Sequence, residues 1–327
     1  MANAALLYST AQQPGQPMTV RRDVPLNSIR YHAVNAAHKT ALMADKRMID
    51  PANLIVMIGE YHNQAAHQMF QYYFMRAFKV CFSDYAICIE RSPHDKDFPA
   101  HPEQVTEENW LAKATSYKRH SRFTPAQMIC GYVAGMDQIP YYPIDCHTDY
   151  GRKGILQEMP EDMLQRYAGN AIVMRELRAH PRILDPKAVH SNIGAVGMAK
   201  RDLFMMDRTL RAQEDIRAPL LLINGNDHIA DSTFTRRSSL ARLLLANGKD
   251  LMTIMLETEG YDRKSMERAH ENMVSQLPRH ELGTYHHRNV FTLPETIHTT
   301  DAGGNIYSSR TGNRHIRRIM GAQMKIA

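Results

Sequence analysis

Two short strings place an acid and a histidine directly after a run of apolar residues. The first is Gly59-Glu60-Tyr61-His62, which follows Leu54-Ile55-Val56-Met57-Ile58. The second is Gly225-Asn226-Asp227-His228, which follows Leu220-Leu221-Leu222-Ile223. Glu90 and Arg91 follow a third apolar run, Tyr85 to Ile89, and Asp145 and His147 follow a fourth, Tyr141 to Ile144. An imidazole near its ordinary pKa of about 6.5 can take a proton from water at neutral pH. A nearby glutamate can orient that ring or bind a metal. Histidines and carboxylates delivered to one edge are a borderline-hard donor set suited to Zn, Mn or Co. The chemistry indicated is hydrolysis by an activated water, with or without a divalent metal. No serine or cysteine stands at a strand end, and there is no Gly-x-Ser-x-Gly elbow, so an acyl-enzyme is disfavoured.

The string Gly-x-x-His is weak evidence by itself. With 17 glycines and 17 histidines in 327 residues, about one match is expected by chance. Four occur, the others being Gly283 to His286 and Gly312 to His315. Only the first two directly follow a buried-strand pattern, where glycine permits a sharp turn and close approach of backbone to a ligand. The other two read as surface turns.

These residues need strands that end together. Continuous apolar runs at 54–58, 85–89, 141–144, 220–223 and 251–256 read as strands buried on both faces. Between the first two, Ala66, Met69, Phe70, Tyr73, Phe74, Ala77 and Phe78 have the spacing of an amphipathic helix. Residues 27–48, about 125–136, 160–215 and 238–246 also read as helical, as does 262–277. Strands alternating with helices predict an α/β fold, a mainly parallel central sheet flanked by helices, with a helical insertion at 160–215. In such a sheet ligands bind beyond the carboxyl ends of the strands, which is where the acids and histidines fall. Asp301-Ala-Gly-Gly-Asn305 reads as a hairpin turn.

The length suits one large domain. Residues 1–25 read as a polar, disordered leader, 26–280 as the α/β domain and 281–327 as a basic C-terminal extension. The net charge is +6, and residues 302–327 hold five basic residues and no acid. A basic end of this kind is more often solvated than a nucleic-acid arm, so nucleic acid is not the expected partner. No apolar run reaches the roughly 18 residues that would indicate a membrane span. The N-terminus lacks the basic start and apolar core of a typical signal peptide. The expected location is cytoplasmic, or exported without a typical signal peptide. The four cysteines form no CxxC pair and are expected to be reduced.

IGEYH, ICIE and LLINGNDHIADS, in this order and separated by helices, resemble the superfamily of ChaN-like haem-binding proteins, erythromycin esterase-like enzymes and TIKI/TraB-type proteins. NDHIADS resembles the esterase branch. GEYHNQ with VGMAKRDLFMMDRTL resembles the ChaN branch. The resemblance spans residues 53–260. It implies a centre of Glu60, His62, Glu90 and His228, used for hydrolysis, sometimes with a divalent metal, or to hold haem. It also implies that Arg91, Asp145, Arg201, Asp202 and Asp227 line or brace that centre. The partner is then a small-molecule or peptide substrate. Haem or porphyrin, with Tyr61 inside the motif as a candidate ligand, is the alternative, and a bacterial effector or toxin module built on the scaffold is another. Plainer roles stand beside these: Glu60 can cap a helix, and Glu90 can simply pair with Arg91 or Arg201. His67 falls off the apolar stripe of its helix and is expected to be solvated. Arg201 and Asp202 are adjacent on a helix and are expected to face different ways.

Overall fold

The run Leu54 to Ile58 sets the centre of the sheet, because a strand buried on both faces must have neighbours on both edges. The computed structural model describes residues 24–61, 64–92, 130–131, 133–135, 137–149, 154–155, 159–160, 162–185, 187–191, 194–229, 238–258, 283–293, 297–300 and 306–309. Strand β1 (Leu54–Glu60) is buried at every position. It is flanked by β6 (Leu220–Gly225) and β7 (Asp250–Thr258), both parallel to it. Beyond β6 lie β2 (Ala86–Ile89) and β3 (Tyr141–Pro143), and beyond β7 lies β8 (Tyr285–Leu293). The sheet has six strands in the order β3-β2-β6-β1-β7-β8, all parallel. The expected α/β architecture is therefore the observed one. β8 lies past residue 280, so the sheet itself extends into the stretch that the sequence reading assigned to the C-terminal extension.

Two layers of helix cover the sheet, and the pleat sorts side chains between them. Leu54, Val56, Ile58, Ile87, Ile89, Leu221 and Ile223 pack on one face against α1 (Val24–Lys46) and α2 (Ala65–Cys81). The core of α2 is a column of Phe70, Phe74 and Phe78, with ring centroids 6.2 and 5.4 Å apart. Burying each such ring contributes on the order of 1.5–3 kcal/mol. Ile55, Met57, Ala86, Cys88, Leu220 and Leu222 pack on the other face. There they meet α4 (Ala171–Ala179), α5 (Ala195–Ile216) and α6 (Leu240–Ala246), with the short α3 (Met163–Arg166) alongside. Two small ladders complete the described elements: β4 (Thr148–Asp149) with β5 (Gly154–Ile155), and β9 (Ile297–Thr300) with β10 (Ile306–Ser309), each antiparallel. The β9–β10 pair agrees with the expected hairpin, though its turn residues lie outside the described set. The helix expected at 262–277 also lies outside it. No helix among the described residues is long and apolar enough to cross a membrane.

The connections create one special place. The helix after β1, α2, lies on one face; the helix after β6, α6, lies on the other. Strands β1 and β6 are adjacent, so the winding reverses between them. That is the topological switch point, where doubly wound sheets open a crevice at the carboxyl edge. The register puts Gly59 opposite Asn224 and Glu60 opposite Gly225 there. Gly59 is required by packing: a Cβ on it would lie 2.2 Å from Asn226 Oδ1 and 2.6 Å from Ile229 Cδ1. The turn after β6 is thus pressed directly onto the backbone of β1.

Candidate active site at the carboxyl edge of the sheet

Helix α5 runs back across the sheet from its carboxyl edge. Near its far end Gln213 Nε2 donates to Leu54 O, at the start of β1, over 3.2 Å. Twelve residues earlier, about 18 Å along a helix, Arg201 and Asp202 arrive at the strand ends. The two residues take different partners, as the sequence reading expected, Arg201 meeting Glu90 and Asp145 and Asp202 meeting His228. They straddle one cluster from adjacent positions.

That cluster is a line of alternating charge. Asp202 Oδ1 accepts from His228 Nδ1. His228 Nε2 meets Glu90 Oε1 at 3.2 Å. Arg201 Nη2 donates to Glu90 Oε1, and also to Asp145 Oδ2 at 2.7 Å, while its Nε reaches both Asp145 oxygens at 3.1 and 3.2 Å. Glu90 Oε2 accepts the Gly225 N–H at 2.6 Å, and Asp145 Oδ1 accepts the Cys146 N–H at 2.7 Å. The side chains of Glu90, Asp202 and His228 are each at most 5 % exposed. Four elements are joined: the ends of β2, β3 and β6, and α5.

Charge of opposite sign on both sides controls the imidazole. Burial alone lowers the pKa of His228, but the carboxylates of Glu90 and Asp202 outweigh it and raise it to about 9. The two carboxylates thus favour the protonated ring at neutral pH. Burial likewise opposes the charge of Arg201, and Asp145 and Glu90 hold its pKa well above the ordinary arginine value.

Glu60 is brought to the same edge but turns to the opposite face. It shares the side of Leu54, Val56 and Ile58, and its Oε2 accepts from Gln71 Nε2 of α2 at 2.5 Å. Cys130 Sγ sits 3.9 Å behind, on Gln71 Oε1. Thus Glu90 and His228 come together with Asp145, Arg201 and Asp202 on the α5 side, and Glu60 stands across the β1–β6 switch from them. His62 lies outside the described residues. Arg91 is buried beside the centre, and its carbonyl accepts the Asp145 N–H at 2.7 Å. Asp227 is exposed.

His67 was missed by sequence reasoning: it is fully buried, not solvated. Its Nδ1 accepts the Tyr61 N–H at 3.0 Å and its Nε2 pairs with Thr258 Oγ1 at 3.2 Å. Burial pushes its pKa down to about 3. His67 is thus a neutral ring that ties the chain just before His62 to α2 and β7. The amphipathic pattern of α2 hid this, because it marks apolar positions only. The Gly283 to His286 string is not a surface turn either: His286 lies in β8 and its Nε2 bonds Asp250 Oδ1 at 2.7 Å, at the opposite end of the sheet. Gly312 to His315 lies outside the described residues.

Both His228 nitrogens are engaged by carboxylates, and both Glu90 oxygens are engaged by Arg201, His228 and Gly225. Metal or haem ligation by either would displace one of these partners. Among the described residues no group of three or more His, Cys, Asp and Glu side chains is arranged to hold a metal ion. All four cysteines are free thiols. Tyr61, half-buried at the end of β1, is a phenol of the type that ligates haem iron.

The fold and the site define a doubly wound parallel α/β protein with a buried carboxylate–imidazolium–guanidinium centre beside its switch point. Its layout is similar to three solved structures. A ChaN structure from Campylobacter jejuni, solved with cofacial haem binding, is 10 % identical, with 67 % of this chain and 87 % of that one covered and a TM-score of 0.32. The type III effector HopBA1 is 13 % identical over 65 % of this chain and 81 % of its own, with a TM-score of 0.33. A Bacillus cereus protein is 10 % identical over 88 % and 79 %, with a TM-score of 0.39. At such identities and scores, none of the three transfers an activity to this chain. No protein-family profile matches the chain. No curated protein is significantly similar to it in sequence.

Proposed function

We propose that this chain is a hydrolase of an ester, amide or related bond, in which His228 is the general acid. The observation that carries this reading is His228 itself: a buried imidazolium fixed at Nδ1 by Asp202 and held at Nε2 only by the longer contact to Glu90, 3.2 Å. Of the two ring protons of His228, Nε2–H is the less closely held. A substrate carbonyl at the switch point lies between this donor and Glu60 on the far side. Glu60 takes a proton as water adds to the carbonyl carbon. The bond to the leaving oxygen or nitrogen breaks, and that atom receives the His228 proton. The proton on Glu60 then returns to the imidazole through solvent. Arg201 and Gly225 N–H keep Glu90 anionic and in place, so the charge on His228 is renewed each cycle.

Leaving-group dependence tests the assignment. A p-nitrophenolate departs without a proton, whereas an ethoxide needs one. His228→Gln is expected to slow an ethyl ester by about 10²–10⁴-fold and the matching p-nitrophenyl ester far less. Glu60→Gln slows both. Equal rates for folded His228→Gln and wild type on the ethyl ester would sink the acid role.

Tyr61 favours a second reading, a haem-binding protein in which its phenolate ligates iron. Haemin titration would then give a Soret shift that is lost in Tyr61→Phe. A spectrum equal to that of free haemin removes this reading.

A further inference from the structure

Asn224 sits in the floor of the centre and is only 1 % exposed. It is the last side chain of β6 before Gly225, and follows Leu220 and Leu222 on the α5 side of the pleat. The β2–β6 ladder pairs Ile89 with Ile223 and continues through Glu90 N–H to Ile223 O at 3.0 Å. One step further stand Glu90 and Asn224, side by side on one face at the strand spacing of about 4.8 Å. The neighbour on the other edge is Gly59, and the room its missing side chain leaves is taken by Asn226 Oδ1 and Ile229 Cδ1.

The amide of Asn224 is half used. Its Nδ2 donates to Gly225 O at 2.8 Å, which fixes which end is which. Its Oδ1 is buried and accepts no hydrogen bond among the described residues. A buried carbonyl oxygen left without a donor is costly and calls for an explanation. Asn226 Oδ1 is also without a donor, but it is pressed against the Gly59 backbone and its Nδ2 is spent on Leu256 O at 2.8 Å.

We infer that Asn224 Oδ1 reads a hydrogen-bond donor of the substrate, so that the preferred acyl group carries an N–H or O–H close to the scissile carbonyl. This rests on the hydrolase reading for its reaction, though not for its binding. An acceptor beside Glu90 and His228 holds such a donor while the carbonyl faces the imidazolium. An acyl group with a methylene in that place leaves the amide oxygen unpaired and is rejected.

Two p-nitrophenyl esters differ at that single point: N-acetylglycinate carries N–H where 4-oxopentanoate carries CH₂. After subtraction of the uncatalysed rates, wild type is expected to prefer the N-acetylglycinate by about 10–100-fold in kcat/KM. Asn224→Leu should lose that preference by slowing the N-acetylglycinate more than the 4-oxopentanoate. Asn224→Thr, which keeps an acceptor oxygen, should retain part of it and serves if the leucine variant does not fold. Equal kcat/KM for the two esters in wild type, or a preference untouched by both variants, overturns the inference and leaves the hydrolase reading standing. If wild type cleaves neither ester, the hydrolase reading falls. Calorimetry with N-acetylglycinamide against 4-oxopentanamide then decides Asn224 by itself, with equal or absent binding counting against it.

Discussion

Replacing Arg201 with methionine lowers the stability of the chain by about 3–5 kcal/mol. The guanidinium lies between Glu90 and Asp145, and its own side chain is only 12 % exposed. Methionine fills a similar volume but removes the positive charge, leaving two buried carboxylates facing each other. The penalty is that of stranded charge, which exceeds the net worth of the pair while intact. A fall in Tm of roughly 4–7 °C is expected for a chain of this size. Arg201→Lys restores the charge without the planar fork and recovers only part of the loss. Arg76→Met is the control: its bond to Asp137 is 2.5 Å long, but Arg76 is 45 % exposed. Its loss should cost less than about 1 kcal/mol. Equal, small shifts for Arg201→Met and Arg76→Met in chemical denaturation would show that the alternating line of charge does not hold the four elements together.

Stability and activity should both fall as pH rises through about 9, and His228 is the cause. Its folded pKa is about 9 and the ordinary imidazole value is 6.5. The folded state therefore binds the proton more tightly, and the resulting stabilisation is fully present below pH 6.5 and lost as pH passes through 9. The difference is worth about 3 kcal/mol. His67 works in the opposite sense. Its folded pKa is about 3, so the folded state prefers the neutral ring, and stability on its account falls as pH drops below 6.5. The two histidines together predict greatest stability near neutral pH. Denaturant unfolding at pH 7 and pH 10, for wild type and His228→Gln, isolates the first contribution: wild type should lose stability and the variant should lose markedly less. On an alkyl ester the alkaline limb of kcat/KM should follow the same ionisation. An imidazole of His228 that titrates near 6.5 by NMR contradicts both expectations.

The strands were legible because each is an uninterrupted apolar run. A strand covered on both faces has no polar side to alternate with. All five expected runs reappear within two residues at each end, with β1, β6 and β7 each running two residues past the expected end. β8 was not legible. Its residues, Tyr-His-His-Arg-Asn-Val-Phe-Thr-Leu, are mostly polar, as an edge strand with one exposed side tolerates, and no buried-strand pattern marks it. His67 and Asn224 were invisible for a related reason. Hydrophobic spacing finds apolar cores, whereas the role of a buried polar residue depends on partners far away in the chain.

By itself, the sequence determined that parallel strands would end in acids and histidines at one edge, since every βαβ unit returns the chain in the same direction. It also determined that Glu90 and Asp145 would follow their strands directly. Only the tertiary structure decided which acids meet which bases. The strand order puts β6 between β1 and β2, and the pleat then sends Glu60 toward α2 and Glu90 toward α5. Helix α5 adds Arg201 and Asp202 from more than 50 residues past Asp145. The charge of His228 follows from that meeting, because an imidazole takes its protonation state from the groups around it and not from its place in the chain.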